Sequence, residues 1–331
     1  MTAFLTGAHA MRIALAALVL ATALGGAAQA QDKWPSRNVT IVVPFAPGGL
    51  ADIVARPLAA HLEKQFKQPF IVVNRGGAGS GIGIQSVAKA PADGYTLLVS
   101  LNGISTLPAI AEATGKPGMF TREEFAPIAR IVADPCVIFV QKDAPWKSAG
   151  ELIADAKNRP DAILYSSSGV YGPTHLPTVM LELATGTKLR HLPTTGGGPA
   201  MQALLAGSVH LFFTVPALAM EHVGAGLLRP LAASSPKRLP VLPDVPTLAE
   251  LGFDVEYLAW AGLFTAKDVP AEIRKSLDAA VAKIAADSEF REGLAKIGNT
   301  LAYQGAEEFG QWWEKDSARL SQIIHAINAK Q

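Results

Sequence analysis

The sequence has a single cysteine, Cys136, so one chain can close no disulfide. Cys136 stands in the apolar run 136–140 and reads as a buried strand residue, since a free cysteine packs like a small hydrophobe. Nothing beside it in sequence, neither a histidine nor a helix start, would activate a catalytic thiol. Neither sign of charge is in excess. There are 29 Lys+Arg and 28 Asp+Glu, and without Arg12 28 of each remain. With no basic stripe, the chain lacks the electrostatic footprint of a nucleic-acid-binding protein, and no nucleic-acid partner is expected. His61, His175, His191, His210, His222 and His325 show no short ligand spacing, so no metal site is expected. A phosphate loop of the Gly-x4-Gly-Lys type is missing. The glycine-rich stretch 76–83 has the wrong spacing for a dinucleotide loop and no acidic ribose partner downstream. These absences leave no cofactor to expect.

The N-terminal apolar run, residues 13–24, is shorter than the roughly 20 residues a membrane span needs. Arg12 precedes it, small residues follow it, and Ala28-Gln29-Ala30 makes a small-x-small site. This is the pattern of a secretory signal peptide over residues 1–30, cleaved after Ala30 to give a periplasmic protein beginning at Gln31. Met11, directly before Arg12, offers a second candidate start.

Beyond residue 30 the chain alternates strand-like and helix-like segments. The hydrophobic fraction is 49%, enough for a packed core, and about 300 residues is a two-domain length. Strands are expected at 38–45, 69–74, 96–100, 136–141, 163–166, 189–192, 209–215 and 228–233. Helices are expected at 50–66, distorted near Pro57, and at 83–89 and 149–158, with a mostly helical C-terminal part over 271–297 and 306–328. Such alternation implies an α/β chain with parallel sheets covered on both faces. Ligands of such sheets bind where loops leave the carboxyl ends of the strands.

Three of those loops stand out. The first, 44–52, contains Gly48-Gly49 between a strand and a helix. It is either a plain turn with Asp52 stabilising the helix start or a cradle whose free first-turn N–H groups attract an anion. The second, 166–175, has three serines, two glycines and a helix start. Ser168 and His175 there could be imagined as a nucleophile pair, but the Gly-x-Ser-x-Gly elbow is missing and no acid is assigned to orient the histidine. The third, 194–200, offers Gly196 to Gly198 either as backbone donors or as a hinge. Trp312-Trp313 on the last helix reads as packing.

Taken in order, these segments resemble the Bug/TctC family of extracytoplasmic solute receptors of tripartite tricarboxylate transport. The resemblance runs nearly end to end, through Val42-Val43-Pro44-Phe45-Ala46-Pro47-Gly48-Gly49, Val73-Asn74-Arg75-Gly76-Gly77-Ala78-Gly79, Ala90-Pro91-Ala92-Asp93-Gly94-Tyr95, Tyr165-Ser166-Ser167-Ser168-Gly169 and Leu242-Pro243-Asp244-Val245-Pro246-Thr247. It implies a type II periplasmic-binding fold, two α/β lobes with a ligand cleft between them. The expected division is 31–130 with 256–331 as a discontinuous first lobe and 131–255 as the second. It also implies a monomeric receptor that catalyses nothing, binds a small organic carboxylate and delivers it to the membrane permease subunits of a tripartite tricarboxylate transporter. By position, the ligand contacts are Ala46, Gly48, Gly49, Leu50, Ala51 and Asp52 from one lobe, and Ser168, Gly172, Pro173, Thr174 and His175 from the other. Thr194 and Gly196 of the third loop and Thr214 at a strand end complete the set.

The chain departs from the family pattern at three places. Val170-Tyr171 replace a small residue and a glycine, Thr194 stands where a tyrosine is common, and Thr214 where an aspartate is common. An acidic group at the last position would suit an ammonium, so its replacement turns the expectation away from amino acids. The alternative reading is a hydrolase on the same fold using Ser168 and His175. The signal pattern carries its own test: intact-mass analysis of periplasmic protein should give a chain beginning at Gln31, and material retaining the apolar run would refute that expectation.

Overall fold

The computed structural model describes residues 34–329; the expected signal segment and its cleavage site lie outside the described residues. Residues 34–36 form part of a separate N-terminal unit, and the main body starts at Arg37.

In chain order the elements are β1 (Val39–Val43), α1 (Leu50–Phe66), β2 (Phe70–Asn74), α2 (Gly81–Ala88), β3 (Thr96–Ser100) and α3 (Gly103–Thr114). Then come β4 (Phe125–Pro135), β5 (Val137–Gln141), α4 (Ala149–Asn158), β6 (Leu164–Ser167), α5 (Leu176–Thr185), β7 (Arg190–Pro193), α6 (Gly197–Leu205) and β8 (Leu211–Thr214). The chain closes with α7 (Met220–Gly224), β9 (Leu228–Ala233), β10 (Leu258–Ala266), α8 (Ala271–Ala286), α9 (Ser288–Lys296), β11 (Leu301–Gln304) and α10 (Ala306–Asn328). α1 runs unbroken through Pro57. α3 and β4 occupy a stretch where no element is expected from the sequence pattern. No residue of β4 is exposed, and seven of its eleven are buried, which removes the polar alternation that betrays a strand.

The strands form two sheets, in the orders β11-β4-β10-β3-β1-β2 and β7-β6-β8-β5-β9. The expectation of parallel sheets holds only for part of each. β1 pairs in parallel with β2 and β3, and β6 with β7 and β8. β10 is antiparallel to β3 and β4, and β5 to β8 and β9. The mixed pattern reflects the path of the chain. It leaves the first sheet along β4, enters the second along β5, and returns along β10. Each sheet has its own core. The first gathers Val42, Leu98, Trp260, Phe264, Phe309 and Trp313, the second Phe139, Met201, Leu204, Phe212 and Leu228. This is the two-lobe, type II-like α/β fold that the resemblance implied. Trp313 packs in the first core and donates to Ser105 Oγ at 2.8 Å, as the packing reading requires.

Where the chain crosses between sheets it is stitched by one serine. Cys136 N–H donates to Ser234 Oγ at 3.0 Å, and Ser234 O–H donates to the Tyr257 carbonyl at 2.8 Å. Backbone bonds from Ser234 N to Cys136 O (2.8 Å) and from Tyr257 N to Ser234 O (3.1 Å) close the knot. Cys136 is fully buried, and burial together with the nearby Asp134 pushes its thiol far above the usual range.

Asp134 lies two residues before that knot. Burial pushes its carboxyl up to about 6, against the Thr300 N–H donated to Oδ1 at 2.9 Å, and Oδ2 has no partner. From about pH 4 to about pH 6 the folded state therefore keeps a proton that the unfolded chain has released, and stability falls as pH rises through that window. Asp134→Asn keeps an acceptor for Thr300 and removes the charge. It should raise stability at pH 7 by about 1–3 kcal/mol and change little at pH 4. Urea unfolding at the two pH values checks this; a variant less stable than the parent at pH 7 rules it out.

Candidate functional site

The three loops singled out in the sequence meet in the cleft between the lobes. The first connects β1 to α1. Gly48 takes a positive φ of 78°, which glycine adopts without steric cost. Its N–H donates to Asp52 Oδ2 at 3.0 Å. Asp52 is only 4% exposed and also receives Arg56 Nε at 3.0 Å, an Arg56 terminal nitrogen at 2.8 Å and Asn74 Nδ2 at 2.9 Å. Burial opposes its charge, but the bonds from Arg56, Gly48 and Asn74 outweigh it, and the carboxyl is held below its usual value. Asn74 Nδ2 also donates to the Phe45 carbonyl at 3.0 Å, so the end of β2 grips the loop as well. Asp52 is thus the bracket that shapes the loop. Both of its oxygens are engaged by Gly48, Arg56 and Asn74, and the Gly48 N–H is engaged with them. Asp52 and Ile53 N–H both turn back to the Gly49 carbonyl at 3.0 Å. Leu50 and Ala51 N–H, in the first turn of α1, have no acceptor within the helix.

The second loop is closed largely upon itself. Ser168 N–H donates to Thr174 Oγ1 at 2.8 Å, and Thr174 O–H donates to Ser168 Oγ at 3.0 Å, which leaves the Ser168 proton to point elsewhere. Gly172 N–H goes to the Gly169 carbonyl and His175 N–H to the Gly172 carbonyl, each at 3.0 Å, and Pro173 has no N–H. Within this stretch the Gly172 and His175 N–H groups are engaged inside the turn, and the Thr174 N–H is left without a partner. Tyr171, with φ 56°, is a non-glycine residue in the left-handed region. His175 supports it, because Nδ1 accepts the Tyr171 N–H at 3.0 Å. His175 also stacks on His191 (4.2 Å between centroids), which stacks on Tyr165 (4.7 Å), and His191 Nε2 meets Ser167 Oγ at 2.6 Å. Burial, with His191 adding, pushes His175 down to about 3, so the ring is neutral. The Ser168–His175 pairing that a hydrolase would require is not formed.

In the third loop Thr194 O–H is shared between the Ser167 and Gly196 carbonyls, both at 2.8 Å, and faces its own lobe. The helix it leads into, α6, begins directly against the first loop. A Cβ placed on Gly49 would lie 3.1 Å from Gly197 N, and one on Gly198 only 2.5 Å from the Pro47 carbonyl oxygen. Ala46 N–H donates to the Thr195 carbonyl across the cleft at 3.0 Å, and Thr106 O–H to the Tyr171 carbonyl at 3.1 Å.

These contacts enclose a cavity of about 20 Å³, room for about one water. Of the expected site residues, Gly49, Leu50, Ser168, Pro173, Thr174 and Thr214 line it. Ala46, Gly48, Ala51, Asp52, Gly172, His175, Thr194 and Gly196 do not line it, and Gly48 lines an adjacent open groove with Pro47 and Gly198. Phe45, Leu101, Gly197, Val215, Leu218 and Ala259 line it as well, unexpectedly. Leu101 directly follows β3, so the strand-end rule could have found it; Ala259 comes in on the return strand β10, and although 255–264 reads as a strand-like return segment, its arrival at this cavity depends on a long-range pairing with β3. Thr214 is fully buried and its hydroxyl has no partner. A wider open groove lined by Ser105, Arg122 and Glu314 receives none of the three loops.

Residues 54–329 match the family described as the tripartite tricarboxylate transporter family receptor, TctC. The chain is 33% identical over 326 residues to protein BugT of Bordetella pertussis, covering 96% of this chain and 98% of BugT. Two solved structures are similar. An R. palustris protein with adipate has a TM-score of 0.83 at 31% identity, covering 89% of this chain and 98% of that one. MatC from Rhodopseudomonas palustris with bound malate has a TM-score of 0.83 at 28% identity, covering 88% and 100%.

The neutral His175 links the site to pH. Its folded value lies below the ordinary 6.5, so on acidification the unfolded chain takes up a proton first, and stability falls as pH drops below about 6.5. Between pH 7 and pH 5 this should cost about 2 kcal/mol. In His175→Asn, which keeps an acceptor for Tyr171 N–H, urea titrations at the two pH values should show that loss markedly reduced. An undiminished loss would mean that His175 is not its source.

Proposed function

The chain belongs to the TctC family of tripartite tricarboxylate transporter receptors, and from that premise we propose that it captures a small organic carboxylate between its lobes and hands it to the permease subunits of such a transporter. In this reading it acts in the periplasm as a monomer, without a cofactor and without turning its ligand over. The observation that carries the proposal is the wall of the cavity. The N-termini of α1 and α6, one from each lobe, abut there through Gly49 and Gly197. Each terminus presents unbonded N–H groups and the positive end of a helix dipole, equivalent to about half an elementary charge. Two such ends facing one point favour an anion without any Lys or Arg in the wall. The adipate and malate held by the two similar structures are anions of this kind.

Capture also calls for differential affinity between open and closed forms. Donors supplied by both lobes give that difference, because only the closed form brings them onto one ligand. We take the moving bodies, within the main body, to be residues 37–130 with 256–329 and residues 131–255, turning about the Cys136–Ser234–Tyr257 knot.

The test is a thermal-shift and calorimetry panel of mono- and dicarboxylates. A binder at 100 times its Kd adds about 2.7 kcal/mol, which should raise Tm by several degrees in a protein of this size. Gly198→Ala should bind that ligand at least about tenfold more weakly while its lobes stay folded, since the added Cβ meets Pro47 of the other lobe at 2.5 Å when the cleft closes. No Tm shift across the whole panel would defeat the proposal.

A further inference from the structure

The cavity wall also bears on what kind of carboxylate fits, an inference that rests on the receptor reading. None of the twelve lining residues has an ionisable side chain. Two charged or titratable groups close in sequence to those residues, Asp52 and His175, are committed elsewhere. Asp52 is bound to Arg56, Asn74 and Gly48, and His175 is neutral with Nδ1 taken by Tyr171. The second loop adds few backbone donors. The N–H groups of Ser168, Tyr171, Gly172, His175 and Leu176 all have partners within the loop, and Pro173 has none to give. Besides the Thr174 N–H, the unbonded N–H groups gather at the α1 and α6 termini, at one place, enough for one carboxylate. Elsewhere the wall is Phe45, Leu101, Val215, Leu218 and Ala259, interrupted by the hydroxyls of Ser168, Thr174 and Thr214. Thr214 is the unusual one. It is fully buried at the end of β8, its Oγ1 has no hydrogen-bond partner, and it faces the cavity. A buried hydroxyl left so is costly, and a group on the ligand can satisfy it.

We infer that the ligand carries a single carboxylate on an uncharged, mainly apolar body, and that Thr214 reads one neutral hydrogen-bonding group on that body. A second carboxylate or an ammonium would lose its hydration against this wall without meeting an opposite charge, which buried ions do not tolerate. A hydroxyl meets Thr214 at no such cost. This selectivity sets the chain apart from the two similar structures, which hold dicarboxylates.

Chain-matched acids that differ only in their far end test it by calorimetry on the full mature protein. The four-carbon set is butyrate, 4-hydroxybutyrate, succinate and 4-aminobutyrate; the six-carbon set is hexanoate, 6-hydroxyhexanoate, adipate and 6-aminohexanoate. In the set that fits, the neutral-ended acids should bind at least about tenfold more tightly than the diacid and the amino acid. The hydroxy acid should lead, and Thr214→Val, close to isosteric, should erase its lead over the unsubstituted acid. A diacid or amino acid binding as tightly as its neutral-ended counterpart overturns this inference and leaves the receptor reading standing. Failure of these acids and of the whole wider panel removes both.

Discussion

Everything at this cleft depends on two stretches of bare backbone meeting across it. Gly49 and Gly197 come so close that a methyl on either would lie 3.1 or 3.3 Å from the other, and Gly198 lies under the Pro47 carbonyl with no room for a Cβ. Because no side chain intervenes, the dipoles of α1 and α6 end at almost the same point. The sequence supplies no cation to do the same work. The rest of the neighbourhood can be understood as support for that approach. Asp52, Arg56 and Asn74 fix the first loop from behind, and His175 holds the strained Tyr171 turn from behind the second. Charge is present around the site, but no charged side chain lines the cavity, and Asp52 and Arg56 shape the first loop.

The two lobes have separate cores and are joined by the crossing strands. In the proposed receptor reading the crossing serves as a hinge, which must bend without exposing polar backbone. The Ser234 hydroxyl meets that requirement by accepting from Cys136 and donating to Tyr257 at once, so the crossing chains stay bonded to each other at the point of flexure. Closure is also stabilised by contacts that involve no ligand, Ala46 to Thr195 and Thr106 to Tyr171. Such contacts lower the differential affinity a ligand must supply to hold the lobes shut.

The fold class and the three loops were legible in the sequence because their signals are local: β-branched runs, glycine pairs before helices, and serine clusters after strands. The failures have a common physical origin in distance. Asp52 looks like a helix-start acid until Asn74, on the neighbouring strand, is seen to share its oxygens. His175 looks like a ligand or a base until His191 and Tyr165 are found stacked beside it. The second loop's N–H groups look free because its internal turn cannot be counted from composition. Leu101 and Ala259 reach the cavity from β3 and β10, which are antiparallel partners far apart in the chain. The stretch from Leu101 to Pro135 was opaque for another reason. α3 carries Pro108 within it, and β4 is buried on both faces, so neither shows the periodicity of its kind.

The lone cysteine has a practical consequence. Cys136 is sealed in the crossing strands, its amide bonded to Ser234 and its thiol raised far from reactivity by burial and by Asp134. A maleimide or iodoacetamide reagent, which attacks the thiolate, finds almost none there. The native protein is therefore a silent background for site-directed labelling. One engineered cysteine on each rim of the cleft would carry a donor and an acceptor dye with no need to remove the natural thiol. The opening and closing of the lobes could then be timed in single molecules of an otherwise unaltered protein.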